Sequence, residues 1–456
     1  MGFLAITTEL NPIFVSMILL AAAIAFGSFF GWLGEFFKLP LITGYFLSGI
    51  ILGLILLVSG NAEAYDYVKI VGNIALAFIV FEMGTRLHFR KVRHNISEVI
   101  VIVLFQAIFT ILLVWGAMFL FGAPWEMALL LGVIAIATSP ETIMVISRNY
   151  RSKGHLTDAI MSHIGVDDIA GVTIFAVAIA IAAAVNSHTA ISPELMIFEP
   201  MLDIFGSFIV GGLIGAVLAL FTHLSKRDSA RSKQFYLAET VCAILLVTGI
   251  TLQHYQIGHV HFALSPILAP LSMGIVFTNL MSKDLRKEND EAIDSFTPPF
   301  IMVFFALIGI QLVVSIINLT VSIWYVLGIA IAYVVLRVVG KQLGVFVGSK
   351  VKKTPKEIIK YLVWSLLPQA TVSIGMAQIV LANEKLPATW RTIIFVVTLI
   401  AAAMYQVVGP KVAEKTLLAC KEIEPGKLNF FYVPKEGSDN CCTPRIDDTD
   451  MFGEEK

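Results

Sequence analysis

Two adjacent carboxylates, Asp167 and Asp168, stand in the run Ser162-His163-Ile164-Gly165-Val166-Asp167-Asp168-Ile169-Ala170-Gly171, inside a stretch apolar enough to lie at membrane depth. A charged Asp near a bilayer centre costs about 2.5–3.5 kcal/mol on insertion scales, so a pair persists only where a cavity, a cation or a basic partner compensates it. Burial and like-charge repulsion both favour the protonated form of such a carboxyl. One oxygen site is then able to hold either a proton or a cation, and this mutual exclusion is what exchange requires. A purely structural pair bonding neighbouring helix ends is the bland alternative. Successive helical positions point about 100° apart, so one acid is expected to face a cavity and the other a helix neighbour. Gly165, Ala170 and Gly171 leave room for close helix approach and for ligand or water.

Two further segments read as interrupted helices. Ala137-Thr138-Ser139-Pro140-Glu141 and Leu366-Leu367-Pro368-Gln369-Ala370-Thr371-Val372-Ser373 each place a helix breaker and polar side chains in mid-membrane, where unwound backbone is tolerated only inside protein or beside an aqueous cavity. Thr138, Ser139 and Gln369 are candidate oxygen donors, because hard cations bind carboxylate, carbonyl and hydroxyl oxygens. The breaks lie an odd number of spans apart, so the second segment runs opposite to the first, as in an inverted repeat whose site lies where half-helices meet. Arg337 sits in the middle of another apolar stretch, and its charge must be met by carbonyl ends, by Glu141 or by the Asp pair. Lys341, one turn later, is expected to extend to the interface.

The elements that position these residues are membrane spans. The chain has 456 residues, 57% hydrophobic and 14% charged, and the apolar residues come in separate blocks of about twenty, each long enough to cross a hydrocarbon core. Blocks such as 100–121 are apolar on every side, which excludes a strand barrel. The spacing predicts about thirteen helices, near 13–37, 40–58, 68–84, 97–122, 125–148, 158–186, 199–225, 235–253, 261–281, 297–317, 321–349, 356–382 and 389–411. Lys and Arg fall in alternate loops, around Lys38, Arg86 to Arg93, Arg148 to Lys153, Lys226 to Lys233, Lys283 to Lys287 and Lys350 to Lys356. That asymmetry predicts a multi-pass membrane protein with the N-terminus outside and the C-terminus cytoplasmic, and the membrane is read as the cell inner membrane.

A net charge of −1 gives no reason to expect a nucleic-acid partner, and Cys242, Cys420, Cys441 and Cys442 follow no metal or disulfide spacing. Residues 413–456 read as a flexible cytoplasmic tail, and three histidines between 254 and 261 read as part of an external loop. No phosphate loop or nucleophile motif is present, and paired catalytic aspartates would need separate helices, so the chain is not expected to be an enzyme.

These residues resemble the monovalent cation:proton antiporter superfamily, in its bacterial sodium/proton exchanger type. The likeness runs through Pro40-Leu41-Ile42-Thr43-Gly44-Tyr45, the Thr138-Ser139-Pro140 break, Asp167-Asp168, Leu271-Ser272-Met273-Gly274, Phe304 to Gly309, Arg337 and Leu367-Pro368-Gln369 to Gly375. The resemblance implies an all-α integral membrane protein with the sodium/proton antiporter fold, in which inverted repeats carry two broken, crossing helices. It implies a transporter domain over 1–412, with core helices at about 97–186 and 321–411 and panel or dimerisation helices at about 13–84 and 235–317, in a homodimer. Asp168 would bind the cation, Na+ for preference over K+ or Li+, or a proton. Asp167 would sit beside it, and no cofactor is implied.

An acid rather than Asn at 167 points to electrogenic exchange. Electrogenic relatives carry a Lys on the eleventh span where this chain places Arg337, and Arg cannot release a proton, so a second proton carrier would have to be Lys341. Ser139 stands where several relatives have an acid, followed by Pro140 and Glu141. The readings that remain beside Na+/H+ antiport are K+/H+ antiport, a sodium-coupled organic-anion carrier and a non-transporting ion or pH sensor.

Overall fold

The computed structural model describes residues 12–36, 41–59, 64–85, 96–139, 143, 152, 154–186, 193–224, 229–257, 260–282, 285–286, 289, 292–293, 296–354 and 356–423. The apolar blocks form helices α1 (Pro12–Phe36), α2 (Leu41–Val58), α3 (Ala64–Thr85), α4 (Ile96–Leu120), α5 (Trp125–Ile134), α6 (His155–Asn186), α7 (Pro193–Leu224) and α8 (Ser229–Thr251). After a hairpin of β1 (His254–Ile257) and β2 (Val260–Ala263) come α9 (Leu268–Leu280), α10 (Pro298–Ile317), α11 (Ile323–Lys352), α12 (Lys356–Ser365), α13 (Thr371–Ala382) and α14 (Ala388–Ala419). Among the described residues nine helices are long and apolar enough to cross a membrane, and shorter apolar helices at Trp125–Ile134, Phe235–Thr251, Leu268–Leu280 and Thr371–Ala382 complete the expected spans. Their outer faces expose large apolar side chains such as Phe205, Leu213 and Val335, as lipid contact demands.

Small residues decide which helices meet. Between lipid-soluble helices there is no hydrophobic drive to associate, so close van der Waals packing must supply the attraction, and glycine permits it. Gly340, Gly344 and Gly348 form a stripe on α11 that lies against the α4 backbone at Thr110, Gln106 and Ile102. The α2–α10 pair meets through Gly49 and Gly309, and the α3–α9 pair through Gly84 and Gly274. Helices α4, α5, α6 and α11 to α14 pack mainly on one another, and α1 to α3 with α7 to α10 form a second set of neighbours, joined to the first through contacts such as α6–α7 and α10–α14.

Two features depart from the sequence reading. The loop carrying the histidines is partly an antiparallel hairpin, with His254 opposite Ala263 and Ile257 opposite Val260. It is anchored by a hydrogen bond from Ala263 N to Asp203 Oδ1 at 2.8 Å. Helix α14 does not stop near 411 but runs to Ala419 with Pro410 inside it, so the first part of the 413–456 segment is helical. The reason is tertiary, since Ala413 and Leu417 are buried against the Leu362 and Leu366 region of α12 and the following turn. The fifth span is interrupted near the expected break, with α5 ending at Ile134 and residues 137–139 non-helical. Arg86, Pro140, Glu141, Cys441, Cys442 and the histidine side chains of the hairpin lie outside the described residues.

Candidate functional site

Two helix breaks meet in the middle of the molecule. Helix α5 ends at Ile134, α12 ends at Ser365, and the extended segments that follow touch through a hydrogen bond from Ser139 N to Pro368 O at 2.9 Å. Gly409 on α14 leaves space for Pro368 at this crossing. The C-terminal ends of two half-helices therefore approach one point, each with carbonyls that have no intrahelical partner and with the negative end of its dipole.

Arg337 answers that charge. Fully buried on α11, it donates Nε–H to Ala135 O at 2.9 Å, Nη1–H to Leu367 O at 2.8 Å and Nη2–H to Ala137 O at 2.7 Å. Its guanidinium lies 4.5 Å from the centre of the Tyr405 ring, and the Tyr405 hydroxyl donates to Val334 O at 2.6 Å. Among the described residues, the partners that Arg337 meets are the carbonyl ends. The planar fork suits this task, because one side chain reaches both breaks at once.

Asp167 and Asp168 are 1% and 3% exposed on α6. Asp167 Oδ1 accepts from Gln106 Nε2 at 2.9 Å, and Oδ2 accepts from Thr138 Oγ1 at 2.5 Å. Lys341, expected at the interface, is instead fully buried, with Nζ 3.2 Å from Asp167 Oδ2 and 2.5 Å from Thr138 Oγ1. Its position follows from the glycine stripe, since it comes one residue after Gly340 on a helix pressed against α4. The structure thus gathers Asp167, Thr138, Lys341 and Gln106 into one buried cluster, with Asp168 adjoining it in the chain and Ser139 in the crossing. Gln369 takes a different place. Its Nε2 donates to the Tyr333 hydroxyl at 2.8 Å and to Ile134 O at 3.3 Å, which ties the second break to the end of α5.

Gln106, Tyr333 and Tyr405 were not singled out by sequence reasoning. Gln106 carried a signal, as a lone amide in the apolar run Val103-Leu104-Phe105-Gln106-Ala107-Ile108. The tyrosines carried none, because an aromatic in an apolar helix is ordinarily core. His163, a turn before Asp167 and 3% exposed, donates from Nδ1 to Ala159 O at 2.9 Å. The cluster offers a carboxylate pair, a hydroxyl and one ammonium in a site closed to bulk water, an arrangement able to trade a cation for a proton.

The family model described as "Sodium/hydrogen exchanger, transmembrane" matches residues 11–407. A comparison with curated proteins found no match. The fold is similar to that of the sodium proton antiporter MjNhaP1 from Methanocaldococcus jannaschii at pH 8, with a TM-score of 0.69 at 19% identity, over 90% of this chain and 99% of that one. A second structure of MjNhaP1, an electron-microscopy map, is similar with a TM-score of 0.68 at 18% identity, over 93% of this chain and all of that one. The chain belongs to the sodium/hydrogen exchanger family, whose members are transporters and not enzymes. It is a cation/proton antiporter with the sodium/proton antiporter fold.

Proposed function

We propose that the chain exchanges Na+ for protons by alternating access, with Asp168 as the carrier carboxylate and Asp167 beside it. The observation that carries this reading is the buried Lys341–Asp167 ion pair next to Asp168, at the meeting of two broken helices. Lys341 lies against Asp167, and the adjoining Asp168 carboxylate carries the charge that an arriving ion meets. A proton or a monovalent cation on Asp168 removes it, so a loaded site crosses an apolar barrier at far lower cost than an empty one. Thr138, held at 2.5 Å from both Asp167 and Lys341, supplies a hydroxyl oxygen to the same site.

Lys341 is also a second proton carrier in this reading. A cation that draws Asp167 away from Lys341 leaves a buried ammonium without its counter-charge, and a buried ammonium in that state sheds its proton. Exchange is then electrogenic. Arg337 has no such exit, so it serves as the fixed brace between the breaks. The set α4, α5, α6 and α11 to α14 would move as a core against α1 to α3 and α8 to α10. Two copies would associate as a dimer through that panel, in the inner membrane with basic loops in the cytoplasm.

The test is reconstitution in liposomes with an acid interior and a trapped pH dye, followed by Na+, K+ or Li+, alongside Asp168→Asn. Cation-dependent alkalinisation that disappears in the variant supports antiport at this site, and its response to a clamped membrane potential reports the charge moved. A preference for K+ replaces the assigned ion. No proton movement with any of the three cations, in folded protein, overturns the proposal in favour of a sensor or an organic-anion carrier.

A further inference from the structure

Helix α11 is 30 residues long, which at 1.5 Å per residue is about 45 Å, well beyond a hydrocarbon core of about 30 Å. Its last turns therefore stand at headgroup level. There it diverges from α12, and a groove of about 690 Å³ opens between them, within the size range of small-molecule sites. The walls combine two chemistries. Leu343, Phe346 and Trp364 line it with apolar surface and are 41%, 46% and 44% exposed, so the groove is continuous with the lipid-facing side of the bundle. Lys350, Lys353 and Lys360 line its other part, and no acidic side chain does so among the described residues.

The lysines are not interchangeable with ordinary terminal charges. Lys352, in the same turn, is turned away from the groove and donates to Ser97 Oγ on α4 at 2.6 Å. Lys350 lies over the Phe346 ring at 4.3 Å, and Lys360 over the Tyr361 ring at 5.0 Å, which holds both ammonium groups beside apolar surface. Lys353 adopts a left-handed conformation, φ 57°, that ends α11 and folds the chain back at the groove mouth. Ser349 lines the same groove and is fully buried, and its Oγ has no hydrogen-bond partner among the described residues. A buried hydroxyl left unmet costs free energy, so its presence at this wall is a second mark of a polar occupant.

We propose that this groove is a binding site for an anionic phospholipid. The headgroup phosphate would sit among Lys350, Lys353 and Lys360, with Ser349 Oγ as a further donor, and the acyl chains would descend along Phe346, Leu343 and Trp364 into the bilayer. Basic pockets between helices at the membrane surface suit this ligand, and aromatic side chains favour the same depth. A lipid bound here touches the two helices that carry the Arg337–Lys341 turn and the second break, so it braces the outer ends of both. The proposal is independent of which cation is exchanged.

The experiment is native mass spectrometry of the full chain in mild detergent, titrated with phosphatidylglycerol or with phosphatidylcholine of the same acyl chains. Wild type is expected to retain phosphatidylglycerol in preference. Lys350→Gln, Lys353→Gln and Lys360→Gln combined should weaken one such site roughly 100-fold, at about a kcal/mol per lysine. Lys352→Gln should leave it intact. Size exclusion confirms folding of the triple variant, and the single change Lys360→Gln, expected to give a several-fold loss, keeps the question answerable if the triple variant fails. Equal retention of the two lipids, or unchanged retention in the triple variant, overturns the site. So does displacement of the lipid by millimolar inorganic phosphate, which would make the groove a free-anion site.

Discussion

Lys341→Met removes an ammonium from a pair that is 0% and 1% exposed, and it does so with a side chain of similar length, so charge and not cavity volume dominates the outcome. Breaking a buried ion pair by deleting one partner costs about 3–5 kcal/mol, because the other charge is stranded. Asp167 keeps its bonds from Gln106 at 2.9 Å and Thr138 at 2.5 Å, which places the expected loss near the lower bound, about 3 kcal/mol. Adding Asp167→Asn removes the stranded charge, and replacement of both partners of a buried pair is often close to neutral, so the double variant should lie within about 1 kcal/mol of wild type. The assay is equilibrium unfolding in mixed micelles followed by tryptophan fluorescence. If the two substitutions simply add, within about 0.5 kcal/mol, the residues do not act as a pair and the reasoning is refuted.

Arg337→Met leaves Ala135 O, Ala137 O and Leu367 O unmet, and at about 1–3 kcal/mol for each buried group the variant should lose more than about 3 kcal/mol, with Arg337→Lys in between. Gly344→Ala drives a methyl into the α4 backbone at Gln106 and should cost about 1–3 kcal/mol and slow exchange, since Gln106 holds Asp167. Gly116→Ala on α4, where an added Cβ meets nothing within 4 Å, should be neutral or stabilising in the same unfolding assay. Glu422 accepts from Leu156 N at 2.7 Å and Thr157 N at 2.8 Å, capping the helix that carries the Asp pair. Glu422→Ala should therefore cost about 1 kcal/mol, read by unfolding and by faster hydrogen exchange at the start of α6.

The sequence made some parts of this site legible and hid others for definable reasons. Acids, proline and hydroxyls interrupt apolar runs, so Asp167, Asp168 and the breaks at Thr138 and Pro368 stand out against their own segments. The spans stand out for the same reason, because a bilayer fixes the length of each block. What a single segment does not contain is the face on which it packs. Lys341 reads as an interfacial lysine until Gly340, Gly344 and Gly348 are seen as one stripe, spaced so that the same side of α11 meets α4 throughout. Only then is the lysine forced inward. The extension of α14 past Pro410 and the cap by Glu422 are long-range contacts, with Glu422 more than 260 positions from its partners, and no local pattern announces them.

The turn between Arg337 and Lys341 carries two basic residues because two different charges must be met there. The charge presented by the ends of α5 and α12 is permanent, since it comes from backbone dipoles that no pH change removes. A permanent cation matches it, and arginine is the side chain that stays charged while bonding to three carbonyls at once. The charge on Asp167 is different in kind, because a proton or a cation can cancel it. A fixed guanidinium in the place of Lys341 would hold the carboxylate in competition with every arriving ion and could not leave by deprotonation. Lysine can, so in the proposed cycle one turn of α11 separates a brace from a gate. Exchanging their identities, with Arg337→Lys and Lys341→Arg in one chain, keeps the net charge and should still abolish electrogenic exchange, whereas unaltered coupling to the membrane potential would show that the proton carried by Lys341 plays no part.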